Sequence, residues 1–248
     1  MSPALSFCQN GVMEEQRNQQ ISVRGTRARA REQVLADIVQ LAEVQLRDRG
    51  ASELSLRAIA RELGMVSSAI YRYFPSAEAL LTALIIRAYQ DIGDAAEQAL
   101  RAATDQPALE QYLAICHGCR DWALANPHRY ALIYGSPVPG YAAPRDTVEP
   151  ATKVGRLLIS VAEMDRSAPS FSAAAQWPAE RDSLQSRLSE LFDAELDGDQ
   201  IAIGVAGWSH LFGLLSFELF GHFVGSVKDN RSYFDAVMRH WAKQLGLA

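Results

Sequence analysis

Residues 55–74, SLRAIARELGMVSSAIYRYF, constrain this chain more than any other stretch. Leu56, Ile59, Ala60 and Leu63 fall at i, i+3, i+4 and i+7, which is one apolar face of a helix. Ser55 precedes that run, where a hydroxyl caps a first turn. Gly64 follows it, where a left-handed residue ends a helix. A third helix is predicted from near Ser67, carrying Ile70, Tyr71 and Phe74, and Pro75 stops it. Two short helices joined by a tight turn that opens with glycine make a helix-turn-helix. Ala60 is small where the two helices must approach, and Ile59, Leu63, Met65 and Ile70 form the expected shared core. The second helix is too short to be stable alone, so it must pack on its neighbours. Its outward face then carries Ser67, Ser68, Tyr71 and Arg72, the hydrogen-bonding types that suit a DNA major groove. The plainer reading is a helical hairpin with a packing role only.

The flanking sequence supplies the neighbours. A first helix is predicted over about 27–49, with Val34, Leu35, Ile38, Leu41, Ala42 and Leu46 in one stripe and Gly50 to end it. Ser76 caps a long helix over about 77–101, with Leu80, Leu81, Leu84, Ile85 and Tyr89 inward. Helical spacing recurs near 108–125, 128–134, 149–165, 180–196, 200–224 and 231–245, with Pro, Gly and Asn breaks between. No strand alternation, repeat or low-complexity tract is evident. The expected fold is all-α: a flexible arm over 1–26, a helix-turn-helix head over 27–75, and a helical regulatory body over 76–248.

Charge follows the same division. The net charge is −5, yet residues 24–74 hold nine arginines against six acids, while the rest is acidic. A basic head on an acidic body fits a nucleic-acid reader better than the sum suggests; a solvated face is the bland alternative. No apolar run approaches the roughly 20 residues of a membrane span. The first residues lack a basic segment followed by an apolar one. Three cysteines make no disulfide framework. The expectation is a cytoplasmic protein with no membrane contact and no cofactor. No Gly-rich phosphate loop, His-Glu-x-x-His or nucleophile elbow points to an enzyme.

Leu56, Ile59-Ala60, Leu63-Gly64, Ile70-Tyr71, Tyr73-Phe74, Pro75-Ser76, Glu78 and Leu80-Leu81 together resemble the DNA-binding head of the TetR/AcrR family of bacterial regulators. The resemblance covers about 30–85. It implies that Arg57 reaches a base or phosphate, that Ser67, Ser68 and Arg72 read base edges, and that Tyr71 and Tyr73 grip the DNA backbone. Two positions depart from the family pattern. Val66 stands where a small hydroxyl residue is usual, leaving Ser67 to take over the cap. Ala77 replaces a phosphate-binding lysine. Arg24 and Arg27, with Arg29 and Arg31, are read as an arm that follows phosphates or enters a minor groove, or as a solvated helix start.

Trp208, His210 and Gly213 form a Trp-x-His-x-x-Gly signature which, with residues 128–144, resembles the TetR-family body named after those residues. That body implies ligand sensing and dimerisation. The segment 201–224 is apolar nearly all round, and Gly204, Gly207, Gly213 and Gly221 are expected to allow close helix approach. With the final helix it suits a two-fold interface of a homodimer, or a monomer core. Trp122, Tyr130, Tyr134, Trp208, His210 and Phe212 are candidates to line a ligand pocket, with core packing as the plainer role; His117 and Glu218 are further polar candidates. Cys116-His117-x-Cys119 lacks the looped four-ligand spacing of a zinc site, so core cysteines are expected. The function expected is a repressor released from double-stranded operator DNA by a small-molecule effector. An activator, a co-repressor-dependent regulator, or a helical adaptor or enzyme that kept a helix-turn-helix are the alternatives.

Overall fold

The computed structural model describes residues 28–164, 178–192 and 198–247. Among these every regular element is helical. Helix α1 spans 28–49. It is followed by α2 (Leu56–Glu62), a 3-10 turn (Ile70–Arg72) and the long α3 (Ala77–Ala102). Then come α4 (Ala108–Ala125), α5 (Pro127–Tyr134), α6 (Val148–Ala151), α7 (Lys153–Met164), α8 (Pro178–Phe192), α9 (Gly198–Leu219) and α10 (Asn230–Gln244). The chain divides into two compact units, one ending at Leu80 and the other starting at Leu81, so α3 carries the chain from one into the other. No described helix is long and apolar enough to cross a membrane.

The first unit is ordered by local signals. Gly50 takes φ +83° and ends α1. The Ser55 hydroxyl accepts from the Ala58 amide at 3.3 Å and caps α2. Buried Gln45 of α1 supplies a further tie, its Oε1 accepting from the Ser55 amide at 3.0 Å. Gly64 (φ +65°) ends α2, and the Met65 amide closes back on the Ala60 carbonyl at 2.8 Å. Ile38, Ala42, Leu46, Leu56, Ile59, Ala60 and Ile70 are buried. Leu63 and Met65, expected in that core, are only half-buried. The Ser76 hydroxyl caps α3 through the Ala79 amide at 3.1 Å.

The second unit packs α4, α9 and α10 around Tyr112, Ile115, Cys116, Leu211, Leu215, Phe234 and Met238. Gly118 of α4 is a close-approach glycine: a Cβ there would lie 2.9 Å from the Ala95 carbonyl and from the Ala99 methyl of α3. Of the glycines expected in that role, buried Gly207 has Leu245 at 3.8 Å from where a Cβ would stand, an ordinary contact, and the other three do other things. Gly204 and Gly213 have open space where a Cβ would stand. Gly221, at φ +79°, ends α9 short of the expected 224. The expected helix over 149–165 is broken at Thr152 into α6 and α7.

Candidate DNA-reading segment and effector cavity

The predicted reading helix forms, but as a tighter coil. Amides donate three residues back: Ala69 to Val66 at 2.8 Å, Arg72 to Ala69 at 3.2 Å and Tyr73 to Ile70 at 2.9 Å. The turn Ile70–Arg72 is therefore 3-10, and it carries no side-chain cap, from Ser67 or otherwise. One α-type bond accompanies these, from the Phe74 amide to the Ile70 carbonyl at 3.1 Å, and 3-10 geometry is used in short pieces of this kind. Ile70 is fully buried and anchors the segment; burying a side chain of this size contributes about 1.5–3 kcal/mol. Ser67, Ser68, Tyr71 and Arg72 are exposed around that anchor, as is Arg57 on α2. Val66 is 74% exposed, a large apolar group left on the same surface. Tyr73 is half-buried, and the Arg31 guanidinium lies over its ring at 5.4 Å from the centroid. Arg24 and Arg27 lie outside the described residues.

In the second unit a cavity of about 710 Å³ opens beside α9. Ile85 and Tyr89 of α3 form part of its wall, with Gly155, Leu158 and Ile159 of α7. Leu188, Leu191 and Phe192 of α8 line it together with Gly204, Val205 and Trp208 of α9. The loop after α5 contributes Pro137, Val138 and Tyr141. Three tyrosines line the cavity, and Tyr112 is buried with its phenol bonded to the Cys116 thiol, which leaves two phenols to bring polar groups to this wall. The Tyr89 hydroxyl donates to the Ile133 carbonyl at 3.4 Å, and burial raises its pKa above the ordinary phenol value. The Tyr141 hydroxyl lies 2.9 Å from the Thr82 hydroxyl of α3.

Of the six sequence candidates for pocket lining, Trp208 is on this wall. Tyr134 stands behind it, its ring 6.0 Å from Tyr89 and 6.2 Å from Trp208. Phe212 stacks on Tyr134 at 4.0 Å. Tyr130 is fully buried and donates to the Phe212 carbonyl at 2.7 Å; burial pushes its pKa up to about 12. Trp122 is half-buried beneath the Arg129 guanidinium. His210 is exposed, its ring 5.0 Å from Trp241. Tyr130, Tyr134 and Phe212 pack on one another, because aromatic groups at helical spacing fill interhelical space first, while Trp122 and His210 stand apart from them and from the cavity lining. Glu218 is committed to Arg120, and His117 to Asp235 at 3.1 Å. Cys116 and Cys119 are fully buried, and burial raises both thiols, Cys119 to about 12.

Tyr89 was legible as an inward residue but not as a cavity wall. Tyr141, in a Pro-Gly loop without periodicity, had no sequence signal, and neither did Gln45 or Gly118.

One surface remains unusually apolar. On α9 His210, Gly213 and Phe217 are exposed at helical spacing, Phe217 by 52%, and Phe220 and Val224 continue the stripe beyond the helix end. Tyr233, Ala236 and His240 of α10 are exposed as well.

The chain matches the family described as "Bacterial regulatory proteins, tetR family" over residues 38–84. It matches "Tetracyclin repressor-like, C-terminal domain" over 112–241, a span that includes Trp208, His210 and Gly213. It is 39% identical over 218 residues to HTH-type transcriptional regulator Rv1816 of Mycobacterium tuberculosis (strain ATCC 25618 / H37Rv), covering 87% of this chain and 93% of that protein. The same identity and coverage hold for regulator Mb1846 of Mycobacterium bovis (strain ATCC BAA-935 / AF2122/97). The crystal structure of regulatory protein SCO4313 superposes with a TM-score of 0.72 at 34% identity, over 87% of this chain and 98% of that one. A Rhodococcus sp. RHA1 protein shares the fold with a TM-score of 0.62 at 23% identity, over 86% of this chain and 95% of that one. With a helix-turn-helix head, an all-helical body and relatives of this kind over most of its length, the chain belongs to the TetR family of bacterial DNA-binding transcriptional regulators.

Proposed function

We propose that this regulator is a homodimeric repressor that leaves operator DNA when a small molecule enters the body cavity. The observation that carries the reading is that α3, which starts at Ala77 three residues past Phe74, supplies Ile85 and Tyr89 to the cavity wall. A ligand that displaces Tyr89 acts on the same continuous helix that follows the reading segment. Such a ligand shifts the equilibrium only through different affinity for the operator-bound and released conformations, and DNA must weaken ligand binding by the same factor.

Base reading is assigned to Ser67, Ser68 and Arg72, backbone contact to Tyr71 and Tyr73, and a base or phosphate contact to Arg57. The exposed stripe of α9 and the outer face of α10 support self-association, since a contiguous exposed apolar face marks an interaction site and a two-fold axis lets one patch meet itself. The two heads would then sit roughly 34–36 Å apart, or a multiple of that.

The test is a footprint on the DNA upstream of the protein's own coding sequence, with a reporter fused to that promoter. Protection of a two-fold site and higher reporter output without the regulator are expected. Lower output without it would make the protein an activator. Equal affinity of an effector for free and operator-bound dimer would reject ligand release.

A further inference from the structure

Resting on the reading of the cavity as the effector site, we infer that its ligand is an uncharged, mainly apolar molecule with one hydroxyl-type pole held between the phenols of Tyr89 and Tyr141.

Three observations carry this. First, no Asp, Glu, Lys, Arg or His side chain lines the cavity among the described residues. A buried ion without a partner is strongly disfavoured. Arg156 is bonded to the wall residue Thr152 but does not offer a counter-ion. Its Nε donates to the Thr152 hydroxyl at 3.1 Å, its Nη2 donates to the Leu191 carbonyl at 2.9 Å, and its guanidinium lies over Phe192.

Second, three of the wall hydroxyls already have partners: the Tyr112 phenol is bonded to the Cys116 thiol, and two threonines are bonded to backbone. Thr147 donates to the Pro144 carbonyl at 2.8 Å and Thr152 to the Glu149 carbonyl at 2.7 Å. The Tyr89 hydroxyl, its proton donated to Ile133, keeps acceptor capacity for a ligand hydroxyl, and the Tyr141 hydroxyl holds one partner and keeps capacity for a second. They are close enough for Tyr141 to contribute to the raised pKa of Tyr89. Third, the volume of about 710 Å³ lies within the roughly 300–1,000 Å³ that takes a drug-sized molecule. Leu158, Leu188 and Phe192 add only hydrocarbon to the lining.

The test uses the full chain with N-phenyl-1-naphthylamine as an uncharged fluorescent reporter. Its competitors are dodecan-1-ol, dodecanoate and dodecyltrimethylammonium, all below micelle formation. Dodecan-1-ol is expected to displace the reporter at least roughly 30-fold better than either ion. Gly204→Phe places a ring in the open space beside Gly204 and should abolish reporter binding without lowering the melting temperature. Independently, Tyr89→Phe combined with Tyr141→Phe should weaken dodecan-1-ol about 30-fold, the effect of two lost hydrogen bonds, and leave the reporter unchanged. Equal binding of dodecanoate, reporter binding that survives in a folded Gly204→Phe protein, or no effect of the double phenol exchange on dodecan-1-ol would each overturn the inference. Operator complexes are followed in parallel by gel shift. If dodecan-1-ol binds with this selectivity yet the operator complex persists, the ligand class stands and ligand release falls.

Discussion

The Arg120 guanidinium of α4 grips the Glu218 carboxylate of α9 through two bonds, Nε to Oε2 at 2.9 Å and Nη2 to Oε1 at 2.5 Å, and both side chains are only 7% exposed. Phe234 of α10 lies beneath the guanidinium, its ring centroid 5.7 Å away. One ion pair thus ties the three helices that enclose the body core. Desolvation opposes such a pair about as strongly as Coulomb attraction favours it, so its net worth is small while half of it alone is costly. Glu218→Ala is expected to destabilise the body by about 3–5 kcal/mol, read from the urea midpoint at constant m. Arg120→Met with Glu218→Leu should return stability to near the parent level. Additive losses in the double variant would show that the pair contributes more than this argument allows.

The reading surface predicts a separation of effects. Arg72→Ala is expected to change base preference at one operator position by about 1–3 kcal/mol. Tyr71→Phe should weaken all sequences to a similar extent, because a phosphate contact carries no base information. Gel shifts on an operator library measure both. Unchanged affinity and unchanged preference in Arg72→Ala would remove Arg72 from the reading surface.

What the sequence made legible was the local part of the fold. Gly50, Ser55, Gly64 and Ser76 each act within a few residues of their own position, and the structure uses each as its neighbours dictate. The stripe Ile38, Ala42 and Leu46 is buried for the same reason: helical spacing alone puts those residues on one face. The cavity was illegible because it depends on what does not fill it. Tyr89 faces inward by spacing, but whether inward means core or cavity depends on Gly204 and Gly207, more than a hundred residues away. Tyr130, Tyr134 and Phe212 have the same composition signature as a pocket lining, and only tertiary contacts separate the two roles.

The cysteines give a prediction on reactivity. Thiolate is the reactive form, and burial holds Cys116 and Cys119 in the thiol form, Cys119 up to about 12. Native protein at pH 8 should therefore show no rapid iodoacetamide labelling at either position, and full labelling in urea. A Cys8→Ser chain should be silent until unfolded, as peptide mass mapping would show. Fast native labelling of Cys116 would mean that α4 opens locally.

The last prediction concerns the outer face of α9 and α10. Gly213 has no atom within 4 Å of where a Cβ would stand, so Gly213→Leu fits the isolated protomer but obstructs a helix packed against it. Sedimentation should then show a monomer with an unchanged helical signal; a persisting dimer would move the interface elsewhere. On the same face, His210 has its pKa lowered below the ordinary 6.5, first by burial and then by the charge of His240. A base with a lowered pKa favours the neutral form in the folded state. Its contribution is complete above the unfolded value and declines as pH falls below about 6.5 toward the lowered one. Association buries both imidazoles further and strengthens that preference. The dimer is therefore expected to weaken between pH 7 and pH 5.5, with the slope reduced in His240→Gln, as sedimentation across that range measures. A dissociation constant that stays flat through the range would place both histidines outside the interface.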